Sequence, residues 1–187
     1  MSDSIEGAFS GGRKNMDKAI DHLKDELLKI RTGKASPAML NGIIVDYYGT
    51  PTALNQAANL STPDSKTISI QPWDKKLLSA IEQAIFAANL GLTPMNDGEY
   101  VRITIPPLTE ERRKDLVKVA KGLGEEAKVS IRNERQKMLQ TIKSEVKDGF
   151  PEDQGKRKEA EVQNIVNSYG DTIGKLIEAK EKDIMTV

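Results

Sequence analysis

Along this chain the apolar residues keep two different rhythms, and the longer one is helical. From Thr109 to Asp148, Leu116, Ala120, Leu123, Ala127, Ile131, Met138, Ile142 and Val146 recur at steps of three, four or seven. That spacing keeps side chains on one side of a 3.6-residue helix. The stretch predicts a single helix of roughly 40 residues, about 60 Å long at 1.5 Å per residue. Pro106 and Pro107 stop what precedes it, Thr109 suits the N-cap, and Glu110 and Glu111 put negative charge where the helix dipole favours it. A stripe of that length needs partner helices. Met16, Ile20, Leu23, Leu27 and Ile30 predict one that runs to about Arg31. Val162, Val166, Tyr169, Ile173 and Leu176 predict another, after the turn at Gly149-Phe150-Pro151 and reaching close to the C-terminus. The first dozen residues are small and polar and end in Ser10-Gly11-Gly12, which predicts a frayed start up to Arg13.

Between the first and second helices the rhythm shortens to two. Ile43 to Tyr48 is β-branched or aromatic and is followed by the turn residues Gly49-Thr50-Pro51. Lys66 to Gln71 alternates Ile68 and Ile70 with polar residues, and Tyr100 to Ile105 alternates again after Asn96-Asp97-Gly98. A helix from Asp74 buries Leu77, Leu78, Ile81, Ala84, Ile85 and Ala88 and closes at Gly91, with Trp73 expected as a packing anchor at its entrance. The fold class is therefore α+β with two domains. An elongated three-helix bundle, residues 1–31 and 106–187, is interrupted by a small inserted β/α/β domain, residues 32–105. Gly33 and Pro37 mark one junction and Pro106 and Pro107 the other, a pair of hinges on one boundary. Gly122, Gly124, Gly170 and Gly174 inside helices, and Glu134 on an apolar side, strain this reading; close helix approach or local bending is the available account.

Charge adds a second feature to the long helix. Lys114, Lys121, Lys128 and Arg135 follow one another at seven-residue steps, with Arg132 four residues after Lys128. These five fall within a sector of roughly 60°, beside the apolar stripe. The whole chain is neutral, 28 Lys+Arg against 28 Asp+Glu, whereas residues 109–148 hold 11 against 8. One reading is a solvated face laced with helical ion pairs, Glu125 serving Lys121 or Lys128. The other is an edge that binds phosphates.

Composition narrows the chemistry. The 187 residues fit one or two domains, and 30% charged with 4% aromatic residues suits long solvated helices. With no cysteine, disulfides, thiolate zinc sites and thiol nucleophiles are excluded, and an intracellular setting is expected. The chain shows neither a membrane span nor the apolar core of a signal peptide, so a cytoplasmic protein is expected. Gly11-Gly12-Arg13-Lys14 lacks the spacing and preceding strand of a phosphate loop. His22, the sole histidine, lies off the apolar stripe and reads as solvated, with no serine or aspartate constellation around it. Carboxylates are plentiful but no pair is singled out, so an enzyme is not expected.

Several stretches resemble the bacterial ribosome recycling factor family. Arg31-Thr32-Gly33-Lys34-Ala35-Ser36-Pro37 is similar to its hinge motif, and Val45-Asp46-Tyr47-Tyr48-Gly49-Thr50-Pro51 to its first strand and turn. Leu90-Gly91-Leu92 and the run from Pro106-Pro107-Leu108-Thr109-Glu110-Glu111 through Leu116 follow in the expected order, and Ala127 to Arg135 resembles the arginine-bearing stretch. The resemblance covers nearly the whole chain. It implies an L-shaped monomer without cofactor or metal that binds the large ribosomal subunit after termination, its bundle on ribosomal RNA. Elongation factor G, hydrolysing GTP, is then expected to act on the small domain so that the subunits separate. Arg132 and Arg135 match RNA-contacting positions of the family, and Arg31, Arg112 and Arg113 match other basic positions of the motif.

Overall fold

The computed structural model describes residues 2–186 and divides into two compact units. One comprises the chain up to Arg31 and from Glu110 onward; the other is Thr32–Thr109. Ile105 through Thr109, with both prolines, therefore group with the small unit, and the chain crosses between units at Arg31–Thr32 and Thr109–Glu110.

The larger unit is a bundle of α1 (Ser2–Leu28), a long α4 (Glu110–Lys147) and α5 (Glu152–Met185). The expected frayed start is replaced by helix. Ile5 and Phe9 are 0% and 3% exposed, and they continue the heptad row of Met16, Ile20, Leu23 and Leu27 toward the N-terminus. Gly12 belongs to that row: a Cβ there would stand 2.1 Å from Met138 Cε, so the glycine leaves a notch that methionine fills. Gly124 does the same for Ile177, whose Cγ1 would lie 2.8 Å from an added Cβ, and Gly155 for Val146 at 2.6 Å. The helix propensity lost at these glycines is thus exchanged for close packing of the bundle. Gly122 faces open space instead. Glu134 sits on the packed side with 13% of its side chain exposed and is neutralised by Lys137 Nζ at 3.2 Å.

Polar latches close the seam between α1 and α5. The Tyr169 hydroxyl donates to Asp17 Oδ1 at 2.5 Å, and burial together with that carboxylate pushes the phenol up to about 12. Lys158 Nζ lies 2.7 Å from Glu6 and 5.5 Å from the Phe9 ring centroid, holding the first turns of α1 to α5. Between α4 and α5 the chain turns at Gly149 (φ 108), where the Phe150 N–H donates to the Glu145 carbonyl at 2.9 Å.

The small unit has its own core. A hairpin of β1 (Ile44–Tyr47) and β2 (Thr50–Ala53) turns at Tyr48 and Gly49, both with positive φ, as a two-residue hairpin loop requires. After a single helical turn α2 (Leu54–Ala57), strands β3 (Ala58–Asp64), β4 (Thr67–Pro72), β5 (Pro94–Asn96) and β6 (Val101–Thr104) form an antiparallel sheet of order β3-β4-β6-β5. Ile68, Ile70, Val101 and Ile103 bury one side of that sheet in a core shared with Ile81 and Ile85 of α3 (Leu78–Ala87). Strands β3 and β5 escape the sequence pattern because they are edge strands with mostly exposed residues; β3 is also bulged between Ser61 and Asp64. Trp73 is not the expected packing anchor. Its ring is 68% exposed, its indole N–H donates to the Gln56 carbonyl at 2.9 Å, and Leu77 fills the core beside it.

Because α1 is anchored from its first turns, Phe9→Ala is expected to destabilise the bundle by about 3 kcal/mol. Denaturant unfolding followed by helical circular dichroism checks this, and an unchanged bundle transition would return residues 2–12 to a frayed segment.

Candidate nucleic-acid interface

The basic residues of α4 are arranged by helix geometry alone. Seven residues rise about 10 Å, so Lys114, Lys121, Lys128 and Arg135 recur at about the screening length of physiological salt. Neighbouring fields therefore overlap along one edge of the bundle. Lys114, Lys121 and Arg132 are exposed, and Lys128 and Arg135 are half-buried.

Ion pairing divides the ridge. Lys121 Nζ lies 3.7 Å from Glu181 of α5, and Lys128 Nζ lies 3.2 Å from Glu125 one turn earlier. Exposed pairs of this kind are weak and screened, and they exchange readily for a better anion. Lys114, Arg132 and Arg135 form no ion pair or side-chain hydrogen bond among the described residues. Arginines standing without a carboxylate keep their planar forks open to an anion, and such a fork can grip a phosphate at two points.

Arg113 leaves this set. It is 8% exposed, and its Nη1 donates to the carbonyls of Ile184 at 2.6 Å and Thr186 at 3.3 Å. The guanidinium thus caps the last carbonyls of α5, where the helix dipole favours a cation. Its position three residues before Leu116 already put it on the apolar side of the helix, a signal that the basic character of its neighbours obscured. Arg112 and Arg31 are exposed, and neither is free of partners within the structure.

The hinge residues differ in kind. Gly33 holds φ +75, and a Cβ there would stand 3.0 Å from Leu108 Cγ, so glycine is needed on two counts. Pro37 opens a short 3-10 turn, Pro37–Leu40, with the Ser36 hydroxyl accepting from the Ala38 N–H, which builds it into the small unit. Pro106 and Pro107 are exposed, in the irregular segment before α4.

No group of acidic or histidine side chains able to hold a metal ion occurs among the described residues, and no described helix is long and apolar enough to cross a membrane. On the small unit the exposed aromatics include Tyr48, 67%, Trp73, 68%, and Phe86, 59%. Asp74 fixes the first, accepting the Tyr48 hydroxyl at Oδ2 while Oδ1 accepts the Lys76 N–H at 3.0 Å.

From this geometry Arg113→Ala is expected to cost about 2–3 kcal/mol, because buried carbonyls lose a charged donor. Arg132→Ala combined with Arg135→Ala should leave the thermal midpoint nearly in place. Equal melting of all these variants would contradict the division between a capping arginine and arginines without a structural partner.

The sequence pattern of the ribosome recycling factor family matches residues 23–185. The ribosome-recycling factor of Christiangramia forsetii is 50% identical over 185 residues, 99% of this chain and 100% of that protein. A solution structure of the ribosome recycling factor aligns with a TM-score of 0.78 at 41% identity, covering 98% of both chains. The T. thermophilus ribosome recycling factor, described with the E. coli elongation factor G bound to the E. coli post-termination complex, aligns with a TM-score of 0.63 at 42% identity, covering 97% of this chain and 99% of that one.

Proposed function

The chain belongs to the ribosome recycling factor family, and from that premise we propose how its two units share the work. It is a translation factor and not an enzyme: it binds the large subunit of the post-termination ribosome in the cytoplasm. With elongation factor G and the GTP which that factor hydrolyses, it promotes separation of the subunits and release from mRNA. The observation that carries the anchoring step is the ridge of α4, where Arg132 and Arg135 stand without a carboxylate partner. Arg132 and Arg135 bind ribosomal RNA phosphates, and Lys114, Lys121 and Lys128 add longer-range attraction. Arg31 and Arg112, at the end of the bundle where the chain crosses to the small unit, extend that field.

The small unit receives the push. It has its own core, so it moves as a body about the two crossings at Arg31–Thr32 and Thr109–Glu110, next to Gly33 and to Pro106 and Pro107. Pro37 travels with it. Tyr48 and Trp73, exposed yet fixed by hydrogen bonds, offer elongation factor G a rigid contact, since a side chain already ordered loses little on binding.

Subunit splitting followed by light scattering, with elongation factor G and GTP, tests both halves when paired with binding to purified large subunits. Arg132→Ala with Arg135→Ala should weaken binding and flatten its log–log salt dependence by roughly 1–2. A short run of glycines inserted at Thr109–Glu110 should leave binding intact and impair splitting, because slack absorbs the push. Wild-type affinity in the first variant would remove the ridge from the interface, and full splitting by the second would remove the lever.

A further inference from the structure

Inside the small unit, the chain is fastened next to both crossings by the same turn. Ala35 donates its N–H to the Ser65 carbonyl at 2.8 Å, and Ile105 donates its N–H to the Lys66 carbonyl at 2.7 Å. Ser65 and Lys66 are the two turn residues between β3 and β4, so neighbouring carbonyls hold the strand that enters the unit and the strand that leaves it. Ile105 is the last residue before the return crossing at which such a bond forms early in the segment, because Pro106 and Pro107 carry no N–H. The two segments also lie against each other further on, where an added Cβ at Gly33 would stand 3.0 Å from Leu108 Cγ and 3.4 Å from the Leu108 nitrogen.

One side chain shapes the turn. Asp64 Oδ1 accepts the Lys66 N–H at 2.8 Å, and the Thr67 hydroxyl and N–H donate to the same carboxylate; these bonds, that from Lys66 first, hold it below the usual carboxylate range. The bulge of β3 comes just before Asp64, and a bulge re-aims the side chains beside it. Asp64 itself is exposed and contributes to no apolar core.

Fastening at Ala35 and Ile105 sets how much chain is left to bend. Residues 32–34 remain on the outgoing side and residues 106–109 on the return, spans of at most about 10 Å and about 14 Å when extended. Two short tethers that start from adjacent residues of one turn bend together. A tether released from the turn gains length, and added length absorbs displacement.

We propose that Asp64 is a positioning residue of the lever: by shaping the Ser65–Lys66 turn it clips the two hinge strands side by side, so that a push on the small unit bends the hinge and is not lost as slack. The inference rests on the lever reading of the small unit and adds the group that sets the length of its tethers.

The test uses the full chain carrying Asp64→Ala, Asp64→Asn or, as a control that weakens the same unit away from the clip, Ile85→Val. Amide hydrogen exchange at Ala35 and Ile105 reads the clip directly. In Asp64→Ala both amides should exchange about tenfold faster, the change expected for roughly one net hydrogen bond. Binding to purified large subunits should stay within about twofold of the parent chain, while the maximal splitting rate with elongation factor G and GTP falls several-fold. Asp64→Asn keeps an oxygen that can accept the Lys66 N–H, so it should exchange and split like the parent. Ile85→Val should split like the parent despite its lower stability. Unchanged exchange in Asp64→Ala would show that Asp64 does not hold the clip. Faster exchange with parent-like splitting, or an equal loss of splitting in Ile85→Val, would overturn its part in the lever. The glycine insertion at Thr109–Glu110, measured alongside, separates the two levels: impaired splitting there with parent-like splitting in Asp64→Ala removes the clip alone, whereas parent-like splitting in both removes the lever itself.

Discussion

The apolar row of α1 can be buried only against helices encoded beyond the entire small unit, and the rest of the architecture follows from that requirement. An isolated helix of this length is marginal in water, so α1 is held by what it packs on. Ile5, Phe9, Met16 and Leu23 find α4 and α5, with Met138 seated in the notch at Gly12 and Tyr169 latched to Asp17. Bringing α1 back to its partners returns the chain to the same boundary at Glu110. The small unit is therefore tethered twice while keeping a separate core around Ile68, Ile81 and Ile103. Two tethers limit twisting yet permit bending, which suits the lever proposed for this unit.

The same constraint leaves the ridge available for the proposed binding. Stability of the bundle resides in its apolar rows and in a few polar contacts, such as the cap from Arg113 to Ile184 and Thr186. The outward half of α4 carries little of that duty beyond the weak pair of Lys121 with Glu181. Arg132 and Arg135 can stay unpaired and Gly122 can stay bare without loss of packing.

Much of this was legible in the sequence because long helices repeat their message. The heptad steps of Met16 to Ile30, Leu116 to Val146 and Val162 to Leu176 predict three helices and their contact faces, and the seven-residue steps from Lys114 to Arg135 predict the ridge. The misses have physical reasons. Ile5 and Phe9 continued the heptad, but the glycines and serines around them suggested fraying when one of those glycines was a packing notch. Arg113 looked like its exposed neighbours although its place on the wheel was interior. Strand β3, Ala-Asn-Leu-Ser-Thr-Pro-Asp, carries no alternation to read, being an exposed edge whose position is set by pairing with β4. Trp73 was judged by its size, whereas a hydrogen bond to Gln56 decides where its ring points.

The central claim is that ribosome binding belongs to the bundle and force transmission to the small unit. A chain in which residues 34–104 are replaced by a short Gly/Ser linker of adequate span tests it most directly, once cooperative helical melting shows that the three helices still pack. Its affinity for purified large ribosomal subunits is expected to stay within a few-fold of the full chain and to keep the same steep fall with salt. A folded bundle that no longer binds, or binds without salt dependence, would contradict the claim.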